Sequence, residues 1–150
     1  PYYFAYGSNI DTHHFLSFVN PPSCVKVIGP AYVQNYVFRY RGVRGTQLRS
    51  AVANMEPRKG SRVYGVLYKF KSCADIHQLD KKEGYINDGH PDNKNNKILV
   101  DAIVTLHNNH IQHISSFVYC INPPYVDRSK TQPRKEYMQY LQNGYRQHFT

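Results

Sequence analysis

The sequence predicts an α+β fold: a small curved sheet, mixed or antiparallel, closed into a barrel with helices packed outside it. Three observations carry this expectation. Segments of strand character outnumber helical ones. The 150 residues suffice for one globular domain spanning 1–150 and leave no room for a second. An apolar content of 41%, with 14 Tyr and 7 Phe, supplies bulky core material that disordered, collagen-like and coiled-coil chains lack.

Residues 2–6 read as a short buried strand, cut off by Gly7-Ser8-Asn9, residue types that build tight turns. Asp11 or Asn9 can cap a helix over residues 13–19, which Asn20-Pro21-Pro22 terminates. β-Branched and aromatic residues dominate 24–40, interrupted at Gly29-Pro30, so one long bent strand or two joined strands are expected. A basic, glycine-rich loop over 39–49 leads to a strand at 50–55, a turn holding Pro57 and Gly60, and a strand at 61–70. Ser72 with Asp75 three residues on predicts a capping box for a helix that stops at Gly84. Residues 86–96 form a polar loop. Strands at 97–107 and 111–121, separated by Asn108-Asn109-His110, form a hairpin. After a second basic loop, Pro133 sits in the first turn of a closing helix over 134–148.

Lys plus Arg number 19 against 10 Asp plus Glu, a net charge of +9 that favours anionic partners without choosing among them. Cys24, Cys73 and Cys120 form an odd set with no C-x-x-C spacing, which predicts small reduced core residues and a cytoplasmic location. No stretch approaches the roughly 18 apolar residues of a membrane span, and the N-terminus lacks the pattern of a signal peptide, so a soluble protein without membrane contact is expected. The chain opens at Pro1, which implies a removed initiator methionine or trimming.

The most informative residue for chemistry lies on the second helix. At 100° per residue Ile76, Leu79 and Glu83 share one face, so a carboxylate continues the stripe that packs on the sheet. Burial and the negative end of the helix dipole both disfavour its ionisation, which suits a general base near neutral pH. The bland alternative is a surface Glu in a frayed last turn. Tyr6-Gly7-Ser8-Asn9 offers the complement: successive backbone amides leading into a helix, able to hold a carboxylate or an oxyanion. Alone, that composition is equally that of an ordinary turn.

Together these segments resemble the γ-glutamylcyclotransferase (AIG2-like) family. The resemblance runs through Tyr3-Phe4-Ala5-Tyr6-Gly7-Ser8-Asn9, then Val63-Tyr64-Gly65-Val66-Leu67-Tyr68, then Leu79-Asp80-Lys81-Lys82-Glu83-Gly84, in matching order and spacing. It continues through Tyr119, and through Tyr137 with Gly144 seven residues later. Y-G-S-N is closer to the γ-glutamylcyclotransferases proper than to the γ-glutamylamine branch, which typically reads Y-G-T-L. The resemblance implies release of 5-oxoproline from a small γ-glutamyl compound, with the substrate's α-amine attacking its own γ-carbonyl, and with no cofactor and no metal. It implies Glu83 as the catalytic acid and base, a substrate loop over residues 3–8 centred on Tyr6, Gly7 and Ser8, with Asn9 beside it, and pocket tyrosines at Tyr119 and Tyr137. Tyr145 follows Gly144 where the family usually carries a small residue, and the chain stops soon after, so a different pocket rim is expected. Basic clusters at 39–49, 58–62 and 128–135 exceed what a γ-glutamyl group requires; they either widen the substrate class or serve solubility.

Three rival readings stand beside this one. The scaffold could bind or sequester an anionic small molecule without turnover. The charge and the tyrosines could serve nucleic acid, although no nucleic-acid motif is visible and core packing accounts for the tyrosines better. His107-x-x-His110-x-x-His113 brackets the hairpin turn, but strand geometry sends these rings to different faces, so solvated turn histidines are the expectation. The leaving amine and the oligomeric state stay open.

Overall fold

The computed structural model describes residues 1–149. Its strands are β1 (Tyr2–Ala5), β2 (Val25–Val43), β3 (Val52–Phe70), β4 (Asn95–Thr105), β5 (Ile111–Ile121) and β6 (Val126–Asp127). The helices are α1 (Thr12–Leu16), α2 (Ile76–Lys82) and α3 (Lys135–His148). In the sheet the order is β3-β1-β5-β4-β2, and β3 pairs again with β2, which closes a five-stranded barrel; β6 clips onto the end of β2. The β1–β5 pairing is parallel and the remainder antiparallel, so the sheet is mixed, and the helices lie outside it. Closure removes the free edges that would otherwise invite pairing with another chain.

The interior is filled by aromatic and β-branched side chains. Phe4, Phe15, Tyr68, Val66 and Val118 are fully buried, and Tyr3 stacks at 5.2 Å on Phe117. The β4–β5 hairpin runs in unbroken register from Asn95↔Ile121 to Thr105↔Ile111. Asn108 and Asn109 at its tip take positive φ, which asparagine tolerates better than most residues.

Several local expectations need correction. The strands expected at 50–55 and 61–70 are one, Val52–Phe70, because the β2–β3 register slips between Gln34↔Arg62 and Tyr36↔Pro57. The extra residues form a bulge, fastened by the Gly60 amide donating to Asn35 Oδ1 at 3.1 Å, so Pro57 and Gly60 bend a strand rather than reverse it. β2 likewise continues to Val43, through the start of the expected basic loop, since Arg39–Arg41 stay in the ladder with β3. α1 ends at Leu16; residues 17–19 continue only as tight turns. No capping box forms at Ser72. Asp75 caps α2 itself by accepting from the His77 amide, and Ala74 closes a turn on Lys71. Pro133 lies just outside α3, whose cap residue is Arg134.

The cysteines also depart from expectation. Cys24 and Cys73 form a disulfide, and only Cys120 is free. Pairing of Val25 with Phe70 brings the two cysteines to the same end of the β2–β3 ribbon, with Cα atoms 5.6 Å apart. The bond ties the loop ahead of α2 to the barrel. Among the described residues no helix is long and apolar enough to cross a membrane.

Candidate functional site

Where β1 ends, the chain turns sharply across the mouth of the barrel. Gly7 leads into a single 3-10 turn, Ser8–Ile10, and Asp11 then caps α1 through the His14 amide. This loop is clamped from several sides. Tyr6 donates its hydroxyl proton to the Tyr119 carbonyl at 2.7 Å, Asn9 Nδ2 donates to the Tyr3 hydroxyl at 3.0 Å, and Tyr68 donates to the Asn9 carbonyl at 2.8 Å. α3 closes the outside: Asn143 and Gln147 both donate to the Asp11 carboxylate. Gly144 lets the helix approach so closely that a Cβ there would lie 2.6 Å from the Ile10 backbone. Two turns earlier on the same buried face, Tyr137 reaches the loop itself. Its phenol oxygen accepts the Ala53 amide at 2.9 Å, with the Ser8 amide beside it. A Cβ on Gly7 would sit 2.7 Å from that oxygen, so only glycine leaves room.

α2 delivers the acid. Leu79 packs into the core and Gly84, at φ +71°, ends the helix: the Gly84 amide bonds back to the Lys81 carbonyl and the Tyr85 amide to that of Asp80. Glu83 is the cap residue in between. Its carbonyl accepts from Asn95 Nδ2 at 2.8 Å, and Lys94 N–H bonds to the Gly84 carbonyl, so the start of β4 holds the end of the helix. The Glu83 carboxylate has no hydrogen-bond partner among the described residues. Burial raises its pKa to about 7, with Lys82 pulling weakly the other way.

A cavity of about 390 Å³ joins the two halves. Glu83, Tyr3, Tyr6, Gly7, Ser8, Asn9, Tyr119 and Tyr137 all line it. The Tyr119 hydroxyl is turned away from use by a ligand, since it donates to Asp80 at 2.6 Å. The Ser8 amide lies beside the Tyr137 phenol. Asn9 Oδ1 is buried without a partner.

Sequence reasoning missed Asp80, one helical turn before Glu83 and 9% exposed. Lys97 pairs with it at 3.0 Å behind the Tyr119 ring. The i, i+3 spacing to Glu83 was the available signal. It missed Ala53 altogether, because a backbone amide leaves no mark on side-chain patterns. The two basic loops do reach the cavity, through Val43, Thr46 and Leu48 on one side and Arg134 on the other. Arg41 is instead committed to Glu56 through two hydrogen bonds of 2.9 and 3.0 Å. Burial pushes the Cys120 thiol up to about 12, far from a thiolate nucleophile. His113 Nδ1 lies 2.6 Å from Asp101 on the surface, and among the described residues no group of three His, Cys, Asp or Glu is placed to hold a metal.

Residues 3–142 match the family model for gamma-glutamyl cyclotransferase, AIG2-like. Among solved structures, a protein described as a gamma-glutamyl cyclotransferase superposes with a TM-score of 0.77 at 19% identity, covering 98% of this chain and 79% of that one. An uncharacterized human protein gives 0.76 at 21% identity with the same coverage. YkqA from Bacillus subtilis gives 0.72 at 20%, where this chain spans 48% of the longer protein. No curated protein matches in sequence. At these identities the superpositions speak to the fold: a mixed α+β barrel of the same architecture.

Proposed function

The chain belongs to the gamma-glutamyl cyclotransferase, AIG2-like family, and on that premise we propose that it releases 5-oxoproline from a small γ-glutamyl amide, with residues 1–150 acting as one domain and Glu83 as the proton carrier. The observation that carries the reading is the Glu83 carboxylate: unpaired, poised near pH 7, and in one cavity with the Tyr6 to Asn9 loop.

The substrate arrives with a protonated α-amine. Glu83 takes one proton, and the freed nitrogen attacks the γ-carbonyl carbon, forming the C–N bond of a five-membered lactam. Negative charge gathers on the former carbonyl oxygen. As that intermediate collapses, the bond to the attached amine breaks and Glu83 returns its proton to the departing nitrogen. The carboxylate then takes the second proton from the ring nitrogen, leaving the neutral lactam, and passes it to the released amine, which departs as an ammonium ion. Proton count and charge balance with no other reactant. A carboxyl group held near pH 7 is suited to both transfers, worth about 10² to 10⁴ in rate. The larger gain comes from the cavity wall keeping the flexible γ-glutamyl chain curled, since oriented intramolecular attack reaches effective molarities of roughly 10⁵ to 10⁸ M.

The test incubates the protein with a panel of γ-glutamyl amides whose leaving groups are amino acids, peptides or polyamines, and measures 5-oxoproline for the parent and for Glu83→Gln. Turnover by the parent and its loss in the variant are expected. Binding without product by the parent would instead favour a sequestering pocket. Equal turnover by both proteins would remove Glu83 from the mechanism.

A further inference from the structure

Five tyrosines line the cavity, and following their hydroxyl protons divides them. A phenol has one proton to give and lone pairs to receive. Tyr6 gives its proton to the Tyr119 carbonyl, Tyr119 to Asp80, and Tyr140 to Glu136 at 3.4 Å. These three are committed within the protein. Tyr3 receives from Asn9, and its ring is packed among Phe15, Tyr68 and Phe117. Tyr137 shares with Tyr3 a hydroxyl proton that has no acceptor among the described residues, and differs from it in that its oxygen receives from the main chain, the Ala53 amide at 2.9 Å with Ser8 beside it.

We propose that Tyr137 is the hydrogen-bond donor to the reacting γ-carbonyl oxygen, with the Ala53 and Ser8 amides serving behind it rather than touching the substrate. This rests on the cyclotransferase reading above. Accepting hydrogen bonds polarises the phenol and strengthens the bond it donates. Main-chain amides also hold the oxygen in place before charge develops, the condition under which such donors work best. The missing Cβ of Gly7 gives the phenol its position next to the loop. The tyrosine stays protonated as well, because burial raises its pKa well above the ordinary value. A neutral donor that does not titrate near pH 7 complements an acid in the same cavity that does.

Two measurements test the assignment. In steady-state kinetics Tyr137→Phe is expected to lower kcat about 10²-fold, the usual loss for one oxyanion donor, with KM changed by less than about threefold and the Glu83-controlled limb of the pH profile in place. Unchanged kcat, or a raised KM alone, would overturn it. The second needs no variant: infrared spectra of carbonyl-labelled 5-oxoproline bound to the parent protein should show the lactam stretch lowered relative to water, and raised again in Tyr137→Phe where that protein folds. An unshifted band in the parent sinks the donor role even if turnover is intact. A parent that neither turns over γ-glutamyl amides nor binds 5-oxoproline overturns both readings together.

Discussion

Tyr6, Asn9, Tyr119 and Tyr137 on the inner wall of the cavity are each fastened by a hydrogen bond to another element of the fold, whereas the outer rim is held lightly. On the rim Thr46 bonds to the nearby Val43 carbonyl, Leu48 is 38% exposed, and Arg134 meets Glu136 at 3.5 Å in the open. Groups placed from behind by buried partners keep their geometry at no cost when substrate arrives. Groups that solvent competes for can change with little effect on the fold. Under the proposed reaction the inner wall would therefore suit the γ-glutamyl end, common to every such substrate, and the rim the variable leaving amine.

The sharpest attempt to break this contrast is Glu83→Gln, expected to cost about 10² to 10⁴ in turnover, read as 5-oxoproline formed per unit time. A loss below tenfold would leave the inner wall without its chemistry. Next is Gly144→Ala, far from the rim but packed on Ile10, where the added Cβ must displace backbone. It should destabilise by about 1 to 3 kcal/mol in denaturant unfolding and lower turnover by disturbing the loop. An unaltered midpoint would show that α3 does not set the loop's position.

The acid itself gives a pH signature. Its folded pKa, about 7, lies above the ordinary 4.5, so the folded protein holds that proton more tightly than the unfolded chain. That contribution to stability is complete below about pH 4.5 and fades as pH rises through 7. Glu83→Gln, which never ionises, should gain on the parent by at most about 3 kcal/mol at pH 8 and differ little at pH 4.5. Melting curves at the two values decide it. Over the same range the parent's kcat/KM should rise with pH as the base is unmasked. The smallest effect belongs to the rim. Arg134→Ala should shift KM several-fold among γ-glutamyl amides of different leaving groups, with kcat and melting temperature nearly unchanged. A uniform fall in kcat would mean that the rim takes part in chemistry.

What could be read from the chain follows the range over which each signal acts. The Gly84 stop, the Asn108-Asn109 hairpin tip and the stripe of Ile76, Leu79 and Glu83 are local patterns, and the structure contains all three. The junction of residues 50–55 with 61–70 was misread because Pro57 and Gly60 carry turn chemistry whether they reverse a strand or bulge it. Only a partner with a matching irregularity at Asn35 decides between these outcomes. The Cys24–Cys73 bond, across 49 residues, depends on β2–β3 register that composition does not encode. At the site, the resemblance carried Tyr119 as a pocket residue, and its ring does line the cavity. That its hydroxyl is committed to a buried Asp80–Lys97 pair depends on β4, β5 and α2 meeting, which no local window contains.

The sulfur bridge also makes residues 24–73 a closed covalent ring that includes the whole β2–β3 ribbon. Arg58 and Lys59 stand exposed on its outer bend. A protease cutting the backbone there opens the ring but releases nothing, and the two pieces travel as one molecule until a thiol reductant parts them.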